Sequence, residues 1–171
     1  MNHIVLVGFM GSGKTKVGKQ IAADLKLDFV DVDKAITLKM KMSIAELHQR
    51  FGEPYYRALE TMFVKGFLED DSRKVISVGS GLPLQEQNHK YLKELGTIVW
   101  IDGTAETFAK RLEKHPLFAG DDREEKISKL LKQVNPVYER FSDVHVVTGK
   151  QPFLSFVEEI EQKIAAYEKN S

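Results

Sequence analysis

The chain has 171 residues, with 25 Lys and Arg against 25 Asp and Glu, no cysteine, and 42% hydrophobic side chains. That length suits one domain with one sizeable core, and the apolar content excludes disorder as a description of the whole chain. Balanced charge excludes a global positive field for nucleic acid or anionic membrane, the missing cysteines exclude disulfides, thiolate metal sites and a cysteine nucleophile, and no apolar run approaches the ~20 residues that span a bilayer.

Ile4 to Val7 is a short apolar run, entered without a basic leader, so a cytoplasmic protein is expected. A glycine-rich turn follows, then Thr15 to Leu25, where Val17, Ile21, Ala22 and Leu25 share one helical face. Phe29 to Val32, Val75 to Val78, Thr97 to Ile101 and Val144 to Val147 are further strand candidates. Such short β-branched runs, lacking clean polar alternation and separated by helical segments, suit strands covered on both faces of a parallel sheet. Ser43 to Leu68 reads as a long helical stretch, with Ser43 and Glu46 spaced as a capping box and Pro54 breaking it near the middle. Glu106 to Leu112, Arg123 to Lys132 and Phe153 to Tyr167 supply the later helices. Glu113 to Asp122 carries Pro116 and Gly120 among charged side chains and reads as a mobile loop. The order predicts a three-layer α/β fold, a five-stranded parallel sheet with helices on both faces.

Gly8-Phe9-Met10-Gly11-Ser12-Gly13-Lys14-Thr15 fits G-x-x-x-x-G-K-[ST] in full, directly after the first strand and before the first helix. Its glycines let consecutive N–H groups point inward around phosphates, and the helix that follows adds its positive end. Lys14 would reach the β and γ phosphates, and the Thr15 hydroxyl suits Mg²⁺. A nucleoside triphosphate site is the expectation, with Gly11, Ser12, Gly13, Lys14, Thr15 and Lys16 as its nucleotide-binding residues. Asp31 and Asp33, two apart on what reads as an extended segment, would place both carboxylates on one face at the carboxyl edge of the sheet, where ligands of open α/β sheets collect. One can serve the metal through water while the other binds or activates an acceptor hydroxyl; the alternative is a turn and helix cap.

With Asp31-Val32-Asp33 and Gly52-Glu53-Pro54-Tyr55-Tyr56-Arg57-Ala58-Leu59-Glu60 following the cradle in order, the chain resembles the shikimate kinases, small P-loop kinases of the nucleoside monophosphate kinase fold. The likeness spans roughly residues 4 to 150. It implies ATP and Mg²⁺, with Thr15 and Asp31 in the metal shell, and a monomeric enzyme acting on the 3-hydroxyl of shikimate. It implies that Asp33 holds ring hydroxyls near the attacking oxygen, that Lys14 is catalytic with it, and that Arg57 pairs with the acceptor carboxylate while Glu60, one turn on, steadies the guanidinium. Gly79, Ser80 and Gly81 would border the acceptor, and Arg111 and Pro152 the adenine. Glu113 to Asp122 would be the lid.

Three positions depart from the family pattern. Ser80 replaces the middle of three glycines, His115 stands where the lid motif begins with arginine, and Val134 stands where a second arginine would meet the acceptor carboxylate. All three lie on the acceptor or lid side. They leave open a weakened shikimate kinase, a kinase of another small hydroxylated acid such as gluconate, a nucleoside monophosphate kinase, or a pseudokinase that binds nucleotide without phosphorylating anything.

Overall fold

The computed structural model describes residues 2–171. Five strands, β1 (His3–Gly8), β2 (Asp28–Asp31), β3 (Lys74–Ser77), β4 (Gly96–Asp102) and β5 (Val144–Val147), form one sheet in the order β2-β3-β1-β4-β5, and every pairing is parallel. The helices are α1 (Lys14–Leu25), α2 (Val32–Met40), α3 (Ile44–Phe51), α4 (Glu53–Phe67), α5 (His89–Leu95), α6 (Ala105–Arg111), α7 (Arg123–Phe141) and α8 (Phe153–Asn170). None is long and apolar enough to cross a membrane.

The two-residue period of the strands divides the core. Val5 and Val7 of β1, Ile76, Ile98 and Trp100 pack with α2, α3, α4, α5 and α7 on one face, whereas Ile4, Leu6, Val75, Val99 and Ile101 pack with α1 and α8 on the other. Both faces of β1 are therefore fully buried, which is why its sequence is apolar from Ile4 to Val7. Gly18 lets α1 sit close to the sheet: a Cβ there would collide with the Phe29 ring and lie 3.0 Å from Leu6 Cδ1.

Several sequence expectations are corrected. Strand β2 stops at Asp31, which caps α2 by accepting a hydrogen bond from the Lys34 N–H at 3.2 Å; Asp33 lies in the first turn of α2, not beside Asp31 on a strand. The stretch from Ser43 to Leu68 is two helices that meet at Gly52, whose φ of 84° suits only glycine well. Pro54 belongs to the first turn of α4, where its missing N–H costs nothing, so it starts a helix instead of breaking one. Ser43 does cap α3, accepting from the Glu46 N–H at 3.1 Å. Helices α2 and α5 were not foreseen, and α7 runs past Lys132 and through Pro136 to Phe141 because Tyr138 and Phe141 bury their rings in the core. The loop before α7 contains a short 3-10 turn, Pro116–Phe118, and is anchored by Phe118, which is 4% exposed and packs on Phe9 at 6.2 Å between centroids.

Candidate active site

The loop between β1 and α1 takes the form that the cradle motif requires. Gly11 and Gly13 have φ of 81° and 89°, and α1 begins after Gly13 with no side-chain cap, so its first N–H groups are free for an anion. Gly8 is crowded from the far side: a Cβ there would come within 2.6 Å of the Ile101 carbonyl oxygen, which fixes glycine at the loop entrance. The Ser12 hydroxyl is buried in this loop without a hydrogen-bond partner. Lys14 folds back to donate to the carbonyls of Gly8 at 2.7 Å and Phe9 at 3.3 Å. Burial lowers its ammonium pKa to about 8, against the opposing pull of Asp33 and then Asp31.

Beside the cradle lies a cavity of about 310 Å³, lined by Ser12, Gly13, Lys16, Arg111, Gln151 and Phe153 among others. Arg111 bridges its rim, donating to the Gly11 carbonyl at 3.0 Å and to the Thr148 hydroxyl at 2.9 Å. The Lys16 ammonium lies 4.2 Å from the centre of the Phe153 ring. Pro152 caps α8 between Gln151 and Phe153, which line the cavity while Pro152 itself does not. Gln151, Phe153 and Thr148 escaped the sequence reading because a single side chain beyond a strand carries no periodic signal.

The Thr15 hydroxyl donates to Asp31 Oδ2 at 3.3 Å, so cap and cradle meet. A hydroxyl and one carboxylate beside a phosphate nest fit Mg²⁺, which takes few protein ligands and completes its shell with phosphate oxygens and water. No group of three or more acidic or histidine side chains that could cage a metal occurs among the described residues.

The other candidates converge on the Gly79-Ser80-Gly81 turn after β3. A Cβ at Gly79 would lie 2.7 Å from Asp33 Oδ2, and one at Gly81 would lie 2.5 Å from Arg57 Nη1. The two glycines are therefore needed for the close approach of the carboxylate and the guanidinium. Ser80 is unstrained, since Lys26 and Lys41 are the only described non-glycine residues with positive φ, and its carbonyl accepts from the Tyr138 hydroxyl at 2.8 Å. Arg57 reaches Glu60 at 2.7 Å and Glu53 at 3.4 Å. Glu60 is 1% exposed, and burial raises its carboxyl to about 7, with Arg57 working in the opposite sense. Tyr56, which the sequence reading did not single out, donates its hydroxyl to Asp33 Oδ1. Its position beside Arg57 in the third motif was the available clue.

The departures also find their places. Val134 packs among apolar side chains of two core clusters, one turn before Tyr138 on α7. His115 accepts from the Leu117 N–H at 3.2 Å and so caps its own turn. Arg123, at the start of α7, donates to the Ala109 carbonyl at 2.7 Å.

A phosphate cradle opening toward an aspartate and an arginine at the carboxyl edge of a parallel sheet defines a P-loop phosphotransferase. The family model described as "Shikimate kinase" matches residues 10–165. Among curated relatives, the shikimate kinase of Thermodesulfovibrio yellowstonii is 37% identical over 96% of this chain and 93% of its own, and that of Caldanaerobacter subterraneus is 36% identical over 99% and 98%. Among solved structures, the Acinetobacter baumannii shikimate kinase in complex with shikimate superposes with a TM-score of 0.87 at 28% identity, covering 97% of this chain and 94% of that one. A gluconokinase from Sinorhizobium meliloti reaches a TM-score of 0.66 at 18% identity, covering 99% of this chain and 94% of that one, which shows a shared fold alone. The chain belongs to the shikimate kinase family.

Proposed function

We propose that this chain transfers the γ-phosphoryl group of ATP to the 3-hydroxyl of shikimate, as a shikimate kinase of aromatic amino acid biosynthesis. The observation that carries the acceptor is the packing of Asp33 and Arg57 against the two glycines that flank Ser80, which brings a hydroxyl-orienting carboxylate and a carboxylate-binding fork to the same turn. The base occupies the cavity between Arg111 and Phe153, and the phosphates lie on the N–H groups of Gly11, Gly13, Lys14 and Thr15, since that of Ser12 is held by the Phe9 carbonyl at 3.1 Å. Lys14 exchanges its two carbonyl contacts for phosphate oxygens and places its charge where the transferring group becomes most anionic. Asp33 accepts the acceptor hydroxyl and aims its oxygen in line; phosphoryl transfer asks little covalent work of the protein, so aim and charge supply most of the catalysis. Thr15 and Asp31 would hold Mg²⁺, which when bound neutralises charge on the β and γ phosphates.

Arg57 holds the acceptor carboxylate, and Glu60 fixes the plane of its fork. With Val134 in place of a second arginine, acceptor binding is weaker by roughly ten- to hundredfold than a two-arginine site would give. The reading also makes the chain a single P-loop kinase domain, monomeric and cytoplasmic, in keeping with its balanced charge and lack of cysteine. ADP release measured with shikimate, gluconate and nucleoside monophosphates tests it. Release with shikimate supports the reading, release with another acceptor alone replaces the substrate, and nucleotide binding without release in any mixture makes the chain a pseudokinase.

A further inference from the structure

Tyr56 has no part in the reaction as described so far. It lies on α4 between the exposed Tyr55 and the half-buried Arg57, yet it is 3% exposed and its ring packs against His48 of α3 at 4.9 Å between centroids. Its hydroxyl donates to Asp33 Oδ1, the only side-chain hydrogen bond to that carboxylate among the described residues. Both oxygens approach Gly79, where a Cβ would lie 2.7 Å from Oδ2 and 2.9 Å from Oδ1; what separates them is that only Oδ1 has a side-chain partner among the described residues. An aspartate carboxylate turns easily about its last torsion, which is broad and roughly two-fold, so Asp33 without a partner would not hold one oxygen toward an acceptor.

We propose that Tyr56 is a positioning residue of the acceptor site: its phenol engages one oxygen of Asp33, which leaves the other presented at the Gly79 turn to the hydroxyl that receives the phosphoryl group. This rests on the function proposed above and adds a residue to it. The ring is clamped by burial and by His48, so the hydrogen bond transmits the rigidity of α3 and α4 to a side chain at the start of α2. The phenol keeps its proton across the neutral range, since burial first and the Asp33 contact next push its pKa well above the usual tyrosine value. The Glu60–Arg57 pair performs the matching task one turn along the same helix, so a single face of α4 orders both acceptor-binding groups.

Tyr56→Phe tests this, because it keeps the ring and removes only the hydroxyl. Two quantities are read on wild type and variant: the ratio of ADP released through shikimate phosphorylation to ADP released by idle hydrolysis, and the KM for ATP. The ratio is unaffected by the fraction of folded protein, so a purely structural role would leave it unmoved. The proposal expects the ratio to fall by about tenfold with the KM for ATP unchanged. An unchanged ratio in an active variant overturns the role of Tyr56 and leaves the function standing; a wild type inert toward shikimate overturns both. A second readout needs no phenylalanine variant: a phenol hydroxyl bonded to a carboxylate gives a downfield proton resonance, expected in the wild type and expected to move upfield in Asp33→Asn, where the acceptor is uncharged. Its absence from the wild-type spectrum overturns the proposal even if the phenylalanine variant fails to fold.

Discussion

Under the proposed function, Lys14 links burial to catalysis at a single side chain. Its ammonium is desolvated and satisfied by two loop carbonyls, and its pKa falls to about 8. Below that value the group is charged and attracts phosphate; above it the group is neutral and the attraction is lost. ATP affinity in the presence of Mg²⁺ should therefore fall as pH rises through about 8, by up to tenfold per further pH unit, in calorimetric titrations between about pH 7 and about pH 9.5. A flat profile would show that Lys14 does not titrate there. Gly81 makes a comparable case on the acceptor side. Its φ of −84° accepts any residue, but a Cβ would meet both terminal nitrogens of Arg57 at 2.5 and 2.6 Å. Gly81→Ala should push the guanidinium aside and raise the KM for shikimate about tenfold, with the KM for ATP unchanged, in steady-state kinetics varied in each substrate. Equal changes in both constants would place the effect outside the acceptor pocket.

At the scale of elements, the strands and the cradle were legible because each carries a local signal: short apolar runs, and glycines whose positive φ a phosphate loop demands. Helix α2 was hidden by its own start. Val32 continues the apolar run of β2, so the run reads as strand to its end, although Asp31 carries a cap signal and Val32 and Ile36 already have helical spacing. The consequence reached the site: Asp31 and Asp33 do share a neighbourhood, but through a cap and a first turn. Helix α5 is seven residues long and offers little periodicity, and Pro136 looks like a stop in α7 until the burial of Tyr138 and Phe141 is known. The contact of Tyr56 with Asp33 joins positions 23 apart and could not be read from spacing at all. Packing between elements makes its own prediction at Gly18, where α1 touches β1 and the Phe29 ring of β2. Gly18→Ala improves helix propensity yet forces Phe29 to move, and overpacking should win, with a loss of about 1 to 3 kcal/mol in urea unfolding at unchanged m-value. A gain in stability would mean that the helix and ring can separate without cost.

Across the whole molecule, the alternating faces of β1 tie two core layers to one loop, so the phosphate cradle hangs from the most buried strand in the sheet. A third apolar cluster, built on Phe9, Phe108 and Phe118, joins that cradle to α6, to the loop of residues 113–122 and to α7. The nucleotide and acceptor halves of the proposed site meet at the carboxyl edge of the sheet, and the three substitutions fall on the acceptor and lid side while the cradle motif is complete. The central claim is that these halves deliver a phosphoryl group to one hydroxyl of shikimate. The most direct measurement is a proton–phosphorus correlation spectrum of the chain incubated with ATP, Mg²⁺ and shikimate. The account predicts a new phosphomonoester signal coupled to the ring proton at carbon 3; inorganic phosphate as the sole new product, or coupling to a different ring position, would contradict it.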